Sequence, residues 1–222
     1  MSDNNWTKTR NPAFNRENAL HMDRIAKTAF RPIYPVIARN AMDATGVRHG
    51  RCLDLGAGPG MLAMAVAQAV PGMPVTAFDF SDDSLEIARE NIRQAGLEKQ
   101  ITTTAGDVHG MPFENAEFDL IVSRGSMFFW DDLKGAFAEI LRVLAPGGGT
   151  YIGGGFGSLK LRQHVIEEMA KIDPSWDCYA KKKTDDNGLT RFEKMFSELS
   201  CDSHRIINDD TGFWIVLSKR EN

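Results

Sequence analysis

Leu53-Asp54-Leu55-Gly56-Ala57-Gly58-Pro59-Gly60 reads as the end of a short apolar strand, a glycine-rich turn and the mouth of a helix. Arg51 to Leu55 supplies the strand and Met61 to Val70 the helix, whose many alanines let it approach a sheet closely. Glycine tolerates positive φ and lets a ligand come against bare backbone. The following helix offers unpaired N–H groups and the positive end of its dipole. Together these features suit a nucleotide-like ligand with an anionic or carboxylate part.

The spacing separates two ligand classes. Dinucleotide folds use G-x-G-x-x-G, whereas here Gly56-Ala57-Gly58 is followed by Pro59-Gly60-Met61, so the third glycine falls one position early. Asp54 precedes the first glycine by two residues, where a carboxylate would repel a pyrophosphate. It suits a ligand that carries an ammonium group, and S-adenosylmethionine carries one beside a sulfonium and a carboxylate.

Outward from the turn, strands and helices alternate, the pattern of a mostly parallel sheet covered on both faces. Pro74–Phe80 predicts a second strand and Asp82–Ala95 a helix, with Ser81 as its cap and Asp82 and Asp83 at the positive end of its dipole. Ile101–Thr104 and Phe118–Ser123 read as strands three and four. A helix over Asp132–Leu144 is expected to stop at Pro146-Gly147-Gly148-Gly149, before a fifth strand at Thr150–Gly153. Helices near Leu159–Ile172 and Thr190–Leu199 flank a loop over Asp173–Gly188. Strands at Ser203–Ile207 and Phe213–Ser218, joined over Asn208–Gly212, are close enough to pair antiparallel. Before the turn, residues 12–45 read as helix broken by Pro32 and Pro35.

With these elements in place, the glycine stretch resembles motif I of class I S-adenosylmethionine-dependent methyltransferases, of the methyltransferase type 11 kind. Two further markers agree. Asp79, in Val75-Thr76-Ala77-Phe78-Asp79-Phe80, matches the acid that holds the ribose hydroxyls, and Asp107-Val108, in Gly106-Asp107-Val108-His109, matches the pair that contacts adenine. Strand four and the Leu141–Gly148 helix end complete the set over residues 45–155. Ile33-Tyr34-Pro35, Ser123–Trp130 and Tyr151–Gly157 are similar to a small group of uncharacterised methyltransferase-like proteins from anaerobic archaea and bacteria.

The resemblance implies an α/β, Rossmann-like class I methyltransferase fold: a seven-stranded, mostly parallel sheet with an antiparallel terminal hairpin, helices on both faces and an N-terminal helical cap. The cap is placed at residues 1–45 and the S-adenosylmethionine-binding domain at 46–222. The cofactor is expected to be S-adenosyl-L-methionine, with S-adenosyl-L-homocysteine as product. Its expected contacts are Tyr34, Asp54, Gly56, Ala57, Gly58, Gly60, Asp79, Phe80, Asp107, Val108, His109, Ser123 and Arg124. No catalytic residue and no metal ligand is named, because no Ser-His-Asp, metal or two-carboxylate constellation is visible.

Several residues admit two readings. His109 is either a structural loop histidine or a proton acceptor near adenine. Arg124 can hold the cofactor carboxylate, an anionic substrate or a structural partner. Phe128-Phe129-Trp130 can line an apolar substrate pocket or belong to the core. The Gly153–Gly157 run implies either very close backbone approach or a moving gate, since glycine is entropically costly. Tyr34 covers the cofactor by family likeness alone.

Composition narrows the partners. The formal net charge is −4, with 26 Lys and Arg against 30 Asp and Glu, which argues against a nucleic-acid partner. Lys181–Lys183 is the one basic run and is followed, after Thr184, by Asp185 and Asp186. Met1–Asn18 lacks the apolar core of an export signal, and no apolar run reaches the length of a membrane span, so the expected location is cytoplasmic. Cys52, Cys178 and Cys201 are far apart and suit reduced thiols. Aromatic residues of the cap and of residues 156–190, such as Phe30 and Trp176, point to a small organic acceptor. The oligomeric state, monomer or homodimer, is left open. Two rivals are a non-catalytic S-adenosylmethionine-binding sensor and a thiol-dependent metalloid methyltransferase using Cys178 and Cys201.

Overall fold

The computed structural model describes residues 15–176, 186–199 and 201–221. Around the glycine turn, β1 (Cys52–Leu55), α3 (Met61–Ala69), β2 (Val75–Asp79), α4 (Asp82–Gln94) and β3 (Ile101–Ala105) alternate as the sequence pattern requires. β4 (Phe118–Arg124), α5 (Leu133–Val143) and β5 (Leu144–Gly155) follow, then α6 (Leu159–Ile172), α7 (Asp186–Glu198), β6 (Ser203–Asp209) and β7 (Gly212–Ser218). Ahead of them, α1 (Arg16–Lys27) and α2 (Tyr34–Thr45) are separated by a 3₁₀ turn at Arg31–Ile33, which contains Pro32.

The strands form one sheet in the order β3-β2-β1-β4-β5-β7-β6. β1 to β5 run parallel, while β7 is antiparallel to both β5 and β6. This is the seven-stranded class I methyltransferase arrangement. The order reverses between β1 and β4, and a crevice at the C-terminal strand ends of such a switch point is where doubly wound sheets take ligands.

Strand residues alternate between two cores, as a two-residue repeat dictates. Cys52, Ala77, Leu120, Val122, Tyr151 and Trp214 join one cluster with residues of α1 to α4 and α6. Leu53, Leu55, Phe78, Ile121, Ile152 and Ile215 join the other with residues of α5 and α7. The same alternation turns Asp54 toward the α3 side. Polar caps fix where helices start: Ser81 Oγ accepts the Ser84 amide proton at 3.2 Å, and Asp132 that of Gly135 at 3.0 Å.

Three local expectations need correction, and one open reading closes. The Pro146–Gly149 run does not separate helix from strand, because β5 begins at Leu144, directly after α5. A register shift between Phe118 and Leu120 accommodates the proline and its glycines as a bulge. The terminal hairpin turns on Asp210-Thr211, since Asn208, Asp209 and Gly212 pair into the ladder. Asp209 accepts both the amide and hydroxyl protons of Thr211, at 2.8 and 2.6 Å, which closes so tight a turn. α7 starts at Asp186, ahead of the expected Thr190. Finally, Phe128 and Phe129 are not core residues: they are 61% and 65% exposed, and Trp130 alone turns inward, edge-on to Phe137 at 6.1 Å.

Candidate active site

The turn after β1 is fastened to the end of β2. The amides of Gly56 and Ala57 both donate to the Phe78 carbonyl, at 2.8 and 3.0 Å. Gly58 donates to Asp79 Oδ2 at 2.7 Å, and Ser81 to Asp79 Oδ1 at 2.8 Å. Asp79 therefore ties turn, strand end and α4 together. Burial pushes its carboxyl above the usual range, opposed by those N–H donors. Gly56 is required twice over, by its φ of +66° and by the Ser126 side chain that a Cβ would strike.

Asp54 lies under the turn, 1% exposed, and its Oδ2 accepts the Ala63 amide proton at 2.9 Å in the first turn of α3. Burial pushes its carboxyl up to about 7, the Ala63 amide opposes the rise and the charge of Asp79 adds to it. No cation pairs with it among the described residues. An uncompensated buried carboxylate beneath a glycine turn fits a ligand that brings its own positive charge.

Ser123, expected among the ligand contacts, is completely buried. Its hydroxyl donates to the Leu55 carbonyl at 2.7 Å and lies 2.9 Å from Ser126 Oγ, which reaches the same carbonyl at 3.1 Å. Ser123 thus props the turn from within the sheet. Ser126 is a supporting residue that the motif reading missed, and its short distance past strand four was the available signal. Asn91 was missed as well. Its buried amide donates to the Pro59 carbonyl at 2.9 Å and to Asp23 of α1 at 2.8 Å, and an amide on the apolar face of α4 was the sign of it.

On the β3 side, Gly106 donates to the Asp79 carbonyl at 3.1 Å, so the Asp107 loop starts beside the turn's anchor. Asp107 Oδ1 accepts the His109 amide at 2.9 Å and faces His109 Nδ1 at 2.6 Å, while Nε2 sits 3.1 Å from the Asp132 carbonyl. Both ring nitrogens are engaged, which favours the structural reading of His109 over a free base. Val108 is buried in the α5–α7 core, and Phe80 is half-buried after Asp79.

On the cap side, Arg124 leaves the end of β4 and lies over the Phe30 ring, 4.4 Å from its centroid. Its Nε donates to the Gly155 carbonyl at 3.4 Å, and its guanidinium hydrogen-bonds the buried Tyr34 hydroxyl. Burial raises the Tyr34 phenol, against the pull of Arg124; the charge of Asp54 also reaches it. Tyr34, Asp54 and Arg124 thus converge at one end of the crevice. The Gly153–Gly157 run is explained by close approach. A Cβ at Gly153 or Gly155 would enter the Phe213 or Thr211 carbonyl, and one at Gly154 would meet the Phe128 ring at 2.6 Å.

Cys52 is buried in the core. Burial also raises the Cys201 thiol, which lies 3.2 Å from the Ser203 carbonyl. Cys178 and the Lys181–Lys183 run lie outside the described residues. Among the described residues, no group of three His, Cys, Asp or Glu side chains could hold a metal ion, and no helix is long and apolar enough to cross a membrane.

Fold and turn together define a doubly wound protein whose glycine turn and buried Asp54, at the β1–β4 switch point, are suited to a nucleoside-like, cation-bearing ligand. Residues 52–148 match the family model of the methyltransferase domain. A Methanococcus maripaludis protein assigned to the S-adenosyl-L-methionine-dependent methyltransferases is 43% identical, with a TM-score of 0.87 and coverage of 100% of this chain and 98% of that one. The malonyl-[acyl-carrier protein] O-methyltransferase of Geobacter sulfurreducens is 33% identical over 59% of this chain and 49% of its own. The demethylmenaquinone methyltransferase of Thermus thermophilus is 36% identical over 44% of each chain. The match thus spans about half the length of these curated relatives. The chain belongs to the S-adenosylmethionine-dependent class I methyltransferases.

Proposed function

We propose that this protein moves the methyl group of S-adenosylmethionine to a small organic acceptor and releases S-adenosylhomocysteine. The observation that carries the reading is the buried Asp54 carboxylate beneath the Gly56–Gly60 turn, uncompensated by any cation among the described residues. In this reading the donor's ammonium group faces Asp54, its ribose meets Asp79, and its adenine lies against the Asp107–Val108 loop and Phe80. The bare turn from Gly56 to Gly60 lets it approach the backbone, and Tyr34 covers its amino-acid end. Bound there, the donor supplies a methyl carbon made electrophilic by positive sulfur. The protein's part is alignment and exclusion of water.

Residues 1–45 serve as the cap in this reading and 46–222 as the donor-binding domain, working in the cytoplasm. Two of the relatives act on a malonyl-acyl carrier protein and a demethylated menaquinone by name, which supports an organic acceptor here without fixing which. Incubation with methyl-labelled donor and a panel of small organic acids, phenols, amines and thiols tests the proposal. Labelled product with stoichiometric S-adenosylhomocysteine is expected from at least one class. Donor binding without product from any class would favour a sensor.

A further inference from the structure

Among the described residues, the acids and the histidine that end β1, β2 and β3 are already engaged. Asp54 is bonded to Ala63, Asp79 to Gly58 and Ser81, and both nitrogens of His109 are engaged by Asp107 and Asp132. What the β4 end offers instead is a fixed cation. Arg124 is oriented by three partners at once: the Phe30 ring, the Tyr34 hydroxyl and the Gly155 carbonyl. A guanidinium held in one geometry is suited to an anionic oxygen. Nearby positive charge also lowers the pKa of an acid placed against it.

Arg124 leans toward β5, away from the Asp79 side of the switch point, and its strand partner there is Gly153. Gly153 to Gly155 leave the end of β5 without side chains. The β7 backbone closes over Gly153 and Gly155, and on the opposite face of this strand end the Phe128 ring packs against Gly154. Phe128 and Phe129 are both more than half exposed, an unusual position for two adjacent large aromatics at a ligand crevice. Charge lies on one side of this strand end and an apolar platform on the other.

We infer that the acceptor has an apolar body and one acidic oxygen (a carboxylic acid, enol or phenol), and that Arg124 pairs with that oxygen's anion while Phe128 and Phe129 carry the body. This rests on the methyltransferase reading above. The acceptor ionises first, its proton leaving to water. The anionic oxygen, or a carbon conjugated to it, then bonds to the methyl carbon as the carbon–sulfur bond breaks with its pair to sulfur.

The test is calorimetry on protein saturated with S-adenosylhomocysteine, titrated with 4-hexylbenzoate and with its neutral counterpart 4-hexylbenzamide. The benzoate should bind at least about tenfold more tightly, the worth of one charged hydrogen-bonded pair. Arg124→Met should abolish that preference, Arg124→Lys should restore part of it, and Phe129→Ser should weaken both probes alike. Far-UV circular dichroism and the Tm of Arg124→Met should match those of the wild type, showing that the variant is folded. No preference in the wild type, or one that survives Arg124→Met, overturns the inference. So does a large loss of S-adenosylhomocysteine affinity in Arg124→Met with the preference intact, which would place the guanidinium on the donor's carboxylate. Failure to bind S-adenosylhomocysteine at all would instead strike the methyltransferase reading.

Discussion

Asp79 Oδ2 accepts the amide proton of Gly58 at 2.7 Å, so the carboxylate that ends β2 holds the centre of the glycine turn that ends β1. Ser81 occupies the other oxygen of the same group. The acid shapes the turn, besides the ribose contact proposed for it. Asp79→Asn puts an NH₂ group opposite one of those two donors. It should weaken S-adenosylhomocysteine binding by about ten- to a hundredfold, as read by calorimetry. An unchanged affinity would show that the turn keeps its form without the carboxylate.

Asp54 gives a prediction in pH. Its folded carboxyl is raised by burial to about 7, against an ordinary value of about 4 in an unfolded chain. Between those values the folded state holds a proton that the unfolded state has released. This group's contribution to stability is therefore full below about pH 4 and declines as pH rises toward about 7. Asp54→Asn can still accept the Ala63 amide proton and cannot ionise. It should raise the Tm of the free protein at pH 8 while weakening cofactor binding, a trade between stability and function. A lower Tm at pH 8 would contradict the assignment of Asp54 as an uncompensated buried acid.

Cofactor binding should also release a proton from Asp54. A bound ammonium group favours the carboxylate and pulls its pKa down. Titrations with S-adenosylhomocysteine at pH 6, in buffers of different ionisation enthalpy, should show net proton release that vanishes by about pH 9 and is absent in Asp54→Asn. Equal release by wild type and variant would assign the proton to another group.

How much of this was legible in the sequence depends on how far each contact reaches along the chain. The Asp54–Gly60 turn, Asp79 and the Ser81 cap were readable because local spacing dictates them. Tyr34 with Arg124, and Asn91 with Asp23 and Pro59, are pairs that only the tertiary fold brings together. The start of β5 was misread because Pro146 and three glycines look like a breaker, and only pairing with β4 turns them into a bulged strand. Ser123 sat at the right strand end, yet the register of β4 buries it under the turn.

The glycines of β5 make a stability prediction with an internal control. Gly153→Ala places a methyl group in the Phe213 backbone carbonyl, whereas Gly110 has open space around it and no left-handed φ. Gly153→Ala should cost at least about 1–3 kcal/mol, the usual range for overpacking, while Gly110→Ala should stay within about 0.5 kcal/mol of wild type. Denaturant midpoints check both. Equal midpoints would mean that β5 and β7 separate readily.

The central claim is that the carboxylate-led, early-third-glycine turn selects S-adenosylmethionine over a dinucleotide. Parallel calorimetric titrations of the protein with S-adenosylhomocysteine and with NADH test it most directly. Saturable, one-to-one binding of S-adenosylhomocysteine with no measurable heat from NADH is the predicted result. Tight NADH binding with none of S-adenosylhomocysteine would contradict the account.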